Sequence, residues 1–186
     1  MRFCIFLAEL NELQVWQTDV GNAYLEAYTK EKVCVIAGPE FAEIEGHVLI
    51  ISRALYGLKS SGLRWYERFA DVLREMGFSP CPAEPEIWMR ACNSDGSIIK
   101  DPPRADSVNS KKSFFDPPVY LDDGSYYEYI AVYCDDLTIA SRDPKAITDA
   151  LEKDYRFKLK GTGPLKFLLG CDYFREGTFT KVITSE

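Results

Sequence analysis

The spacing of apolar and polar residues predicts a chain that alternates between helices and short strands. Residues 1–10 are mostly apolar and fit an amphipathic helix, whereas residues 13–20 alternate with period two, as a strand does. The alternation puts Leu13, Val15 and Asp19 on one face of this strand. Asp19 lies near the carboxyl end of the strand, shortly before a Gly-Asn pair that begins a turn.

The pattern then predicts a hairpin followed by a longer helix. Residues 33–36 and 47–51 are β-branched runs separated by a loop that contains glycine and proline. Residues 61–76 follow helical spacing, with Ser60 or Ser61 available as the N-cap and a glycine directly after the run. The predicted apolar face of this helix consists of Leu63, Tyr66, Phe69, Leu73 and Met76.

The segment after this helix changes in character. Prolines at positions 80, 82 and 85 predict an extended segment, and residues 87–90 predict a short strand. Residues 92–118 are rich in Ser, Asp, Lys and Pro and contain two Pro-Pro pairs. This composition predicts an inserted, flexible surface loop within a single domain that spans residues 1–186.

A second hairpin is predicted at residues 126–140, where two β-rich runs flank Asp135 and Asp136. Asp143 is suited to be the N-cap of a following helix, and Pro144 to be its first residue. The apolar face of that helix is predicted to consist of Ile147, Leu151 and Tyr155.

The last part of the chain predicts a turn and three short strands. The turn falls at residues 161–164 and the strands at 165–169, 171–174 and 178–183, the last two joined by a Glu-Gly pair. Helices combined with a mainly antiparallel sheet in this order indicate an α+β fold.

Composition limits the function classes. The chain has 186 residues, of which 46% are hydrophobic and 27% are charged, which is typical of a globular protein with a real core. The formal net charge of −7 counts against a strongly basic nucleic-acid module. It does not count against a site built from carboxylates, which itself contributes negative charge.

The cysteines and the first segment exclude other classes. Six cysteines form no Cys-x-x-Cys pair and the single histidine is His47, so a zinc site is not expected. The scatter favours reduced thiols in a cytosolic or nuclear compartment. Residues 1–10 are too short for a signal peptide of the usual kind and lack a cleavage site, and no run reaches the roughly 18–20 apolar residues of a membrane span.

Three carboxylates are the candidates for chemistry. Asp135 and Asp136 at a hairpin tip could form an ordinary turn, since Asp tolerates turn conformations, and Asp19 could equally be a turn or cap residue. However, a tight turn between apolar strands more often contains Asn-Gly or Asp-Gly. Adjacent carboxylates become favourable when a cation lies between them and a third acidic group. Two Mg²⁺ ions held in this way would suit an in-line displacement at phosphorus.

Four segments carry a family resemblance. Residues 18–24 read Thr-Asp-Val-Gly-Asn-Ala-Tyr and residues 133–136 read Tyr-Cys-Asp-Asp. Residues 54–59 read Ala-Leu-Tyr-Gly-Leu-Lys, with Trp65 beyond them, and residues 166–170 read Lys-Phe-Leu-Leu-Gly. These segments resemble the first catalytic motif, the Tyr-x-Asp-Asp signature, the stretch before a helix and the primer grip of copia-type retrotransposon reverse transcriptases.

The resemblance implies a right-hand polymerase palm with partial fingers, acting as an RNA-directed DNA polymerase within a retrotransposon polyprotein. It implies two-metal nucleotidyl transfer with Mg²⁺ or Mn²⁺. The implied catalytic and metal-binding residues are Asp19, Asp135 and Asp136. The implied partners are an RNA template, a DNA primer, deoxynucleoside triphosphates and the integrase and RNase H parts of the polyprotein.

The resemblance also implies roles around the carboxylates. Tyr24 would be a steric gate against the 2′-hydroxyl, although core packing would also explain it. The implied nucleotide-binding residues are Tyr24, Tyr56, Gly57 and Lys59, of which Lys59 could instead be a solvated charge. The implied primer-grip residues are Leu168, Leu169 and Gly170, whose leucines could instead be hairpin core. The family can carry a lysine near the leaving pyrophosphate in the stretch that holds Lys158 and Lys160.

Some features depart from the family pattern. Cys134 stands where a small aliphatic residue is usual, and residues 60–64 read Ser-Ser-Gly-Leu-Arg instead of continuing with Gln, a small residue, Pro and Arg. The chain begins just ahead of the first motif and ends soon after the primer grip, so we expect a truncated hand. Two alternatives therefore stay open: an inactive retrotransposon relic, and a polymerase-like module that binds nucleic acid or protein without metal. The expected location is cytoplasmic or nuclear, or an intracellular particle.

Overall fold

The computed structural model of the chain describes residues 2–100, 124–168, 171–176 and 179–184. The helices within these residues are α1 (Arg2–Leu10), α2 (Ser61–Glu75) and α3 (Pro144–Lys153). The strands are β1 (Gln14–Val20), β2 (Tyr28–Ile36), β3 (Val48–Arg53), β4 (Ser79–Cys81), β5 (Glu84–Cys92), β6 (Tyr126–Tyr133), β7 (Asp136–Ser141), β8 (Leu159–Pro164), β9 (Phe167–Leu168), β10 (Cys171–Glu176) and β11 (Phe179–Thr184). Most of the predicted loop at 92–118 lies outside the described residues.

The strands form one large sheet and two small ones. The large sheet has the order β4-β5-β6-β7-β1-β8, and the described strand pairs in it are all antiparallel. β9, β10 and β11 form a second sheet, and β2 and β3 form a separate two-stranded ribbon. The predicted α+β class with a mainly antiparallel sheet is confirmed, as are both predicted hairpins. The tip of the second hairpin lies one residue earlier than predicted, because Asp136 already pairs with Tyr133 as the first residue of β7.

Helices cover both faces of the large sheet. On one face, α2 and α3 pack on a core that includes Ile130 and Ile139. On the opposite face, α1 packs on a core that includes Ala131 and Ala140. Successive side chains in a strand point to opposite faces. β6 and β7 are therefore buried on both faces, which explains why apolar residues point to both sides of these strands. The polar residues Glu128, Thr138 and Ser141 are buried among them.

The predicted apolar face of α2 is partly wrong. Leu63 is 54% exposed and Tyr66 is 43% exposed, whereas Trp65 is only 3% exposed. The buried stripe is Trp65, Phe69, Val72, Leu73 and Met76. Both stripes satisfy helical spacing, and only the position of the sheet decides between them. Ser60 occupies the N-cap without a side-chain hydrogen bond, while the Ser61 hydroxyl donates to the Leu55 carbonyl over 2.6 Å.

The start of α3 follows the prediction. The Asp143 carboxylate accepts a hydrogen bond from the Ala146 amide over 3.1 Å, and Pro144 is the first helical residue. Ile147 and Leu151 are buried on the predicted face. This cap fixes the direction in which the chain leaves β7, directly beyond the second hairpin.

The predicted turn at 161–164 is wrong, because these residues belong to β8. This strand pairs with β1 at the edge of the large sheet, from Val20 opposite Leu159 to Trp16 opposite Pro164. An edge strand tolerates glycine and proline because one side of its backbone needs no ladder partner. The pairing with β1 also contains an irregularity between Gln17 and Asp19.

A buried ion pair joins β5 to β6. The Arg90 guanidinium donates to the Glu128 carboxylate from Nε over 3.0 Å and from Nη2 over 2.6 Å. The same carboxylate accepts from the Ser141 hydroxyl and the Cys92 thiol, whose pKa burial and the Glu128 charge raise to about 11. Arg90 also donates to the Met76 carbonyl over 2.8 Å. The network therefore links three strands to the end of α2.

Two further features concern the described residues as a whole. All six cysteines are free. None of the described helices has the length and apolar character needed to cross a membrane.

Candidate active site

Two of the predicted carboxylates lie directly opposite each other. Asp19 on β1 is paired with Asp136 on β7, and on its other side with Lys160 on β8. Directly opposite residues in antiparallel strands project to the same face, about 4.5–5.5 Å apart. Asp136, Asp19 and Lys160 therefore form a row across three neighbouring strands, with the two acidic residues side by side and a cation at one end.

This row occupies the end of the sheet face that α1 leaves open. Asp19 has the same parity as Val15, which packs against the core beneath α1. Four residues of strand place Asp19 about 13 Å beyond Val15. Asp19 and Asp136 are therefore partly accessible at this end of the sheet, while β7 is buried beyond Asp136 and β1 is mostly half-buried.

The third carboxylate lies at the hairpin tip beside this row. Cys134 and Asp135 form the two-residue loop between β6 and β7, and Cys134 has a left-handed φ of 54°. Both tip carbonyls are held by other elements. The Val20 amide donates to the Asp135 carbonyl over 2.9 Å, and the Trp65 indole Nε1 donates to the Cys134 carbonyl over 2.7 Å.

The electrostatics indicate that the acidic groups repel one another. Burial, followed by the charges of Asp135 and Asp19, raises the pKa of the Asp136 carboxyl. Among the described residues, however, no three His, Cys, Asp or Glu side chains are grouped closely enough to hold a metal ion. The two opposed carboxylates are thus in place, but the three together do not form a closed cage.

A small cavity of about 120 Å³ opens at the row and is lined by Asp19, Asp136, Lys160 and Phe167. Gln17 also lines it, and its side-chain oxygen is buried without a hydrogen-bond partner among the described residues. An unpaired buried acceptor is costly unless a donor or cation occupies the space before it. The cavity therefore combines three oxygen-bearing side chains that favour a positive ligand.

Gly21 makes room for the lysine at the end of the row. A Cβ at this position would lie 2.8 Å from Lys160 Cε and 3.1 Å from the Lys158 carbonyl oxygen. The Gly21 amide also donates to that carbonyl over 2.8 Å. The absence of a side chain lets β8 approach the end of β1 closely. Lys160, not Lys158, is the lysine that lines the carboxylate cavity.

The predicted nucleotide-binding aromatics form a pair. Tyr24 lies in a short 3₁₀ helix (Ala23–Glu26) and its ring is 4.5 Å from the Tyr56 ring, at an interplanar angle of 39°. Tyr24 is partly buried against the core beneath α2, whereas Tyr56 is 63% exposed. Desolvation, followed by the charge of Asp135, raises the pKa of the Tyr56 hydroxyl. The predicted core contact of Tyr24 is therefore present, and its half-buried ring lies against Tyr56, while its role as a steric gate stays a prediction.

The other predicted residues are less constrained. Gly57 is exposed and has φ +94°. Because of this positive φ, a residue with a side chain would be strained there, although the space around it is open. Lys59 is exposed at the entrance to α2 and forms no ion pair within the part of the chain that the structure describes. Leu168 pairs through its backbone with Cys171, while residues 169 and 170 of the predicted primer grip lie outside the described residues.

Comparisons with known proteins agree with these motifs. The profile of the family described as reverse transcriptase (RNA-dependent DNA polymerase) matches residues 1–100. The whole chain is 24% identical to part of a retrovirus-related Pol polyprotein from transposon TNT 1-94 of Nicotiana tabacum, and covers 12% of its length. With the corresponding polyprotein from transposon RE1 of Arabidopsis thaliana, the identity is 26% over 87% of the chain and 9% of the polyprotein.

A shorter relative has a similar level of identity. A putative transposon Ty5-1 protein of Saccharomyces cerevisiae is 27% identical over 83% of the chain and 41% of its own length. The chain thus spans about a tenth of the plant polyproteins and less than half of the yeast protein. The matched family profile covers more than half of the 186 residues. The chain belongs to the reverse transcriptase (RNA-dependent DNA polymerase) family, of the copia type that its motifs resemble.

Proposed function

We propose that this chain is the palm domain of an RNA-directed DNA polymerase within a retrotransposon Pol polyprotein. The observation that carries the proposal is the register of β1 and β7, which sets Asp19 opposite Asp136 with Asp135 at the adjoining tip. Two motifs far apart in the sequence thereby supply acidic groups to one end of one sheet face. Family membership and the Pol polyprotein relatives support the same activity.

Asp19, Asp135 and Asp136 would hold divalent metal, for which Mg²⁺ or Mn²⁺ is the chemically suited ion. Mg²⁺ binds through one or two carboxylates and completes its shell with water and substrate phosphates, so a closed three-carboxylate cage is not required. The raised pKa of Asp136 and the unpaired Gln17 oxygen both favour a cation at this position. When bound, the metal would supply charge neutralisation and activation of the attacking hydroxyl.

The aromatic pair would select the nucleotide. In this proposal the Tyr24 ring lies beneath the incoming sugar and leaves no room for a 2′-hydroxyl, and Tyr56 supports the ring from the side. Gly57 would allow the backbone to approach the nucleotide closely, because no side chain projects from it. Lys59, exposed and without an ion-pair partner in the described residues, would contact phosphate of the template or the nucleotide.

Lys160 would balance charge at the phosphate end of the site. It lies opposite Asp19 and lines the same cavity, so its ammonium group is available to phosphate oxygens. Phe167, 53% exposed in that cavity, would border the primer strand ahead of Leu168 in the primer grip. The proposed partners of the chain are the RNA template, the DNA primer and the integrase and RNase H parts of the polyprotein.

The test is primer extension on an RNA template with deoxynucleoside triphosphates and Mg²⁺. The wild-type chain is compared with Asp135→Asn and with Asp143→Asn as a matched control. The control substitution retains a side-chain oxygen that can cap α3, and it makes the same change in charge away from the site. We expect extension by the wild type and Asp143→Asn, no extension without Mg²⁺, and a loss of at least about a hundredfold in Asp135→Asn.

Each alternative gives its own result. An inactive relic would bind primer–template without extending it under any metal. A metal-independent binding module would bind primer–template equally well in EDTA and with Asp135→Asn. Extension that survives Asp135→Asn unchanged would refute the site assignment while leaving the family intact.

A further inference from the structure

Trp65 connects α2 to the tip of the second hairpin. Its indole Nε1 donates to the Cys134 carbonyl over 2.7 Å, and its side chain is only 3% exposed. A buried indole N–H usually finds an acceptor, but the acceptor here belongs to the residue directly before Asp135. Trp65 thus packs in the core and also contacts the backbone that carries the acidic pair.

The indole ring is held in place by aromatic neighbours on two elements. It stacks on Phe69 of α2 at a centroid distance of 5.0 Å and an angle of 26°. It meets Phe157, which follows α3, edge-on at 5.7 Å and 84°. The contacts on two sides restrain the ring, so the direction of its N–H is set largely by the core.

The hairpin tip needs external support. Cys134 has φ 54°, a left-handed conformation that favours glycine, and it is the first residue of a two-residue loop where glycine is the usual choice. The carbonyls at such a tip have no partner in the strand ladder. Here the Cys134 carbonyl is bound by Trp65 and the Asp135 carbonyl by the Val20 amide. The loop is therefore restrained from two sides by elements outside the hairpin.

We propose that Trp65 is a positioning residue for the acidic pair. By fixing the Cys134 carbonyl it holds the strained tip down, and thereby sets Asp135 and Asp136 relative to Asp19. The catalytic part of this inference rests on the proposed polymerase function. Trp65 itself is buried and touches no reacting group.

The experiment compares Trp65→Phe with Trp88→Phe. The first substitution keeps an aromatic ring against Phe69 and Phe157, and it removes only the N–H and part of the ring area. Trp88 provides a matched control because it is 1% exposed, lies in the same core and is paired with Ile130, about 13 Å of strand before the tip. Both variants lose the same atoms from one core, and only one of them loses the hydrogen bond to the tip.

Two readouts do not depend on polymerase activity. The first is amide exchange at Val20, whose N–H reports the docking of the tip, relative to exchange at Ile130 in the centre of β6. We expect the ratio of the exchange rate at Val20 to that at Ile130 to rise roughly tenfold in Trp65→Phe and to stay unchanged in Trp88→Phe. The second is Mn²⁺ binding to the free protein by electron paramagnetic resonance, expected to weaken roughly tenfold in Trp65→Phe alone.

The kinetic readout is the split between kcat and KM in primer extension. Trp65→Phe should lower kcat by roughly ten- to a hundredfold while KM for the nucleotide stays within about twofold. An unchanged exchange ratio, or equal effects of both Trp variants, would overturn the positioning role. If the wild type extends no primer, the proposed function fails, but the exchange ratio and Mn²⁺ binding still decide whether Trp65 positions the acidic pair.

Discussion

Replacing Asp136 with Asn should make the protein more stable while removing the activity proposed for it. Asp136 lies opposite Asp19 and adjacent to Asp135, and burial, followed by the charges of these two neighbours, raises the pKa of its carboxyl. Asn has nearly the same shape and no charge. The substitution therefore relieves repulsion without opening a cavity, and it removes the group proposed to bind metal.

The expected gain follows from the strand pairing. Like charges directly opposite in an antiparallel pair destabilise a protein by about 0.2–1 kcal/mol. For a chain of this size, 1 kcal/mol corresponds to a shift in Tm of about 2–4 °C. We therefore expect Asp136→Asn to raise Tm by roughly 0.4–4 °C in EDTA at neutral pH and low salt. High salt should shrink the difference, because the carboxylates are partly accessible.

The raised pKa of Asp136 predicts how the stability difference between Asp136→Asn and the wild type depends on pH. The folded-state pKa of Asp136 lies above its unfolded value, so the folded protein holds the proton more tightly. Ionisation therefore opposes folding. The penalty is absent below the ordinary pKa of an aspartate and complete above the raised pKa of the folded state. The difference in stability between variant and wild type should accordingly vanish in acid and grow as the pH rises through this window.

Mg²⁺ should reverse the order of the two proteins. A ligand that binds only the folded state at ten times its dissociation constant stabilises by about 1.4 kcal/mol. The wild type should gain this stabilisation and Asp136→Asn should gain much less. Thermal unfolding followed by circular dichroism, with and without Mg²⁺, measures both effects, and Asp143→Asn controls for the change in net charge. A lower Tm for Asp136→Asn in EDTA at neutral pH, or equal stabilisation of both proteins by Mg²⁺, would refute the reasoning.

Two further predictions concern selectivity and the core. Tyr24→Ala should reduce discrimination against ribonucleotides by about tenfold or more, whereas Tyr24→Phe should retain it, because the ring and not the hydroxyl fills the space. Single-nucleotide incorporation with ribo- and deoxyribonucleotides measures the discrimination of each variant. An equal loss of discrimination in the two variants would contradict the role of the ring as a steric gate. Arg90→Met should cost about 3–5 kcal/mol in urea unfolding, because it leaves the buried Glu128 carboxylate without its cation. Adding Glu128→Gln should recover most of that loss, and a double variant no more stable than Arg90→Met would show that the charge is not the cause.

Much of the fold could be predicted from the sequence because local pattern and tertiary environment agree there. The second hairpin consists of two β-rich runs with the acidic pair between them, and Asp143 with Pro144 gives an unambiguous helix start. The spacing of apolar residues gave a wrong prediction where two faces of one helix fitted it equally well. On α2 both Leu63 and Trp65 fit a helical stripe, and burial of Trp65 was decided by contacts with β-strands and with Phe157.

Edge pairing was the other source of error. The sequence of β8 contains two glycines and a proline, which locally favour a turn, and only its partner β1 makes it a strand. The sequence therefore could not show which of Lys158 and Lys160 lies at the carboxylates, because this depends on which lysine the strand register sets opposite Asp19. The motifs predict Asp19, Asp135 and Asp136 as site residues, whereas no local pattern shows the strand pairing that sets Asp19 opposite Asp136.

The position of β1 between β7 and the edge strand β8 explains how the proposed site can exist in an acidic protein. Trp16, Gln17 and Asp19 each have cross-strand neighbours on both sides, from two distant parts of the chain. At Asp19 these neighbours are a carboxylate on one side and an ammonium on the other. The row of Asp136, Asp19 and Lys160 therefore carries a formal surplus of one negative charge, and burial and the neighbouring acidic charges raise the pKa of Asp136 at the end away from the lysine. In the proposed site, a divalent cation would bind at this carboxylate end, because there it would face acidic groups and not the ammonium group.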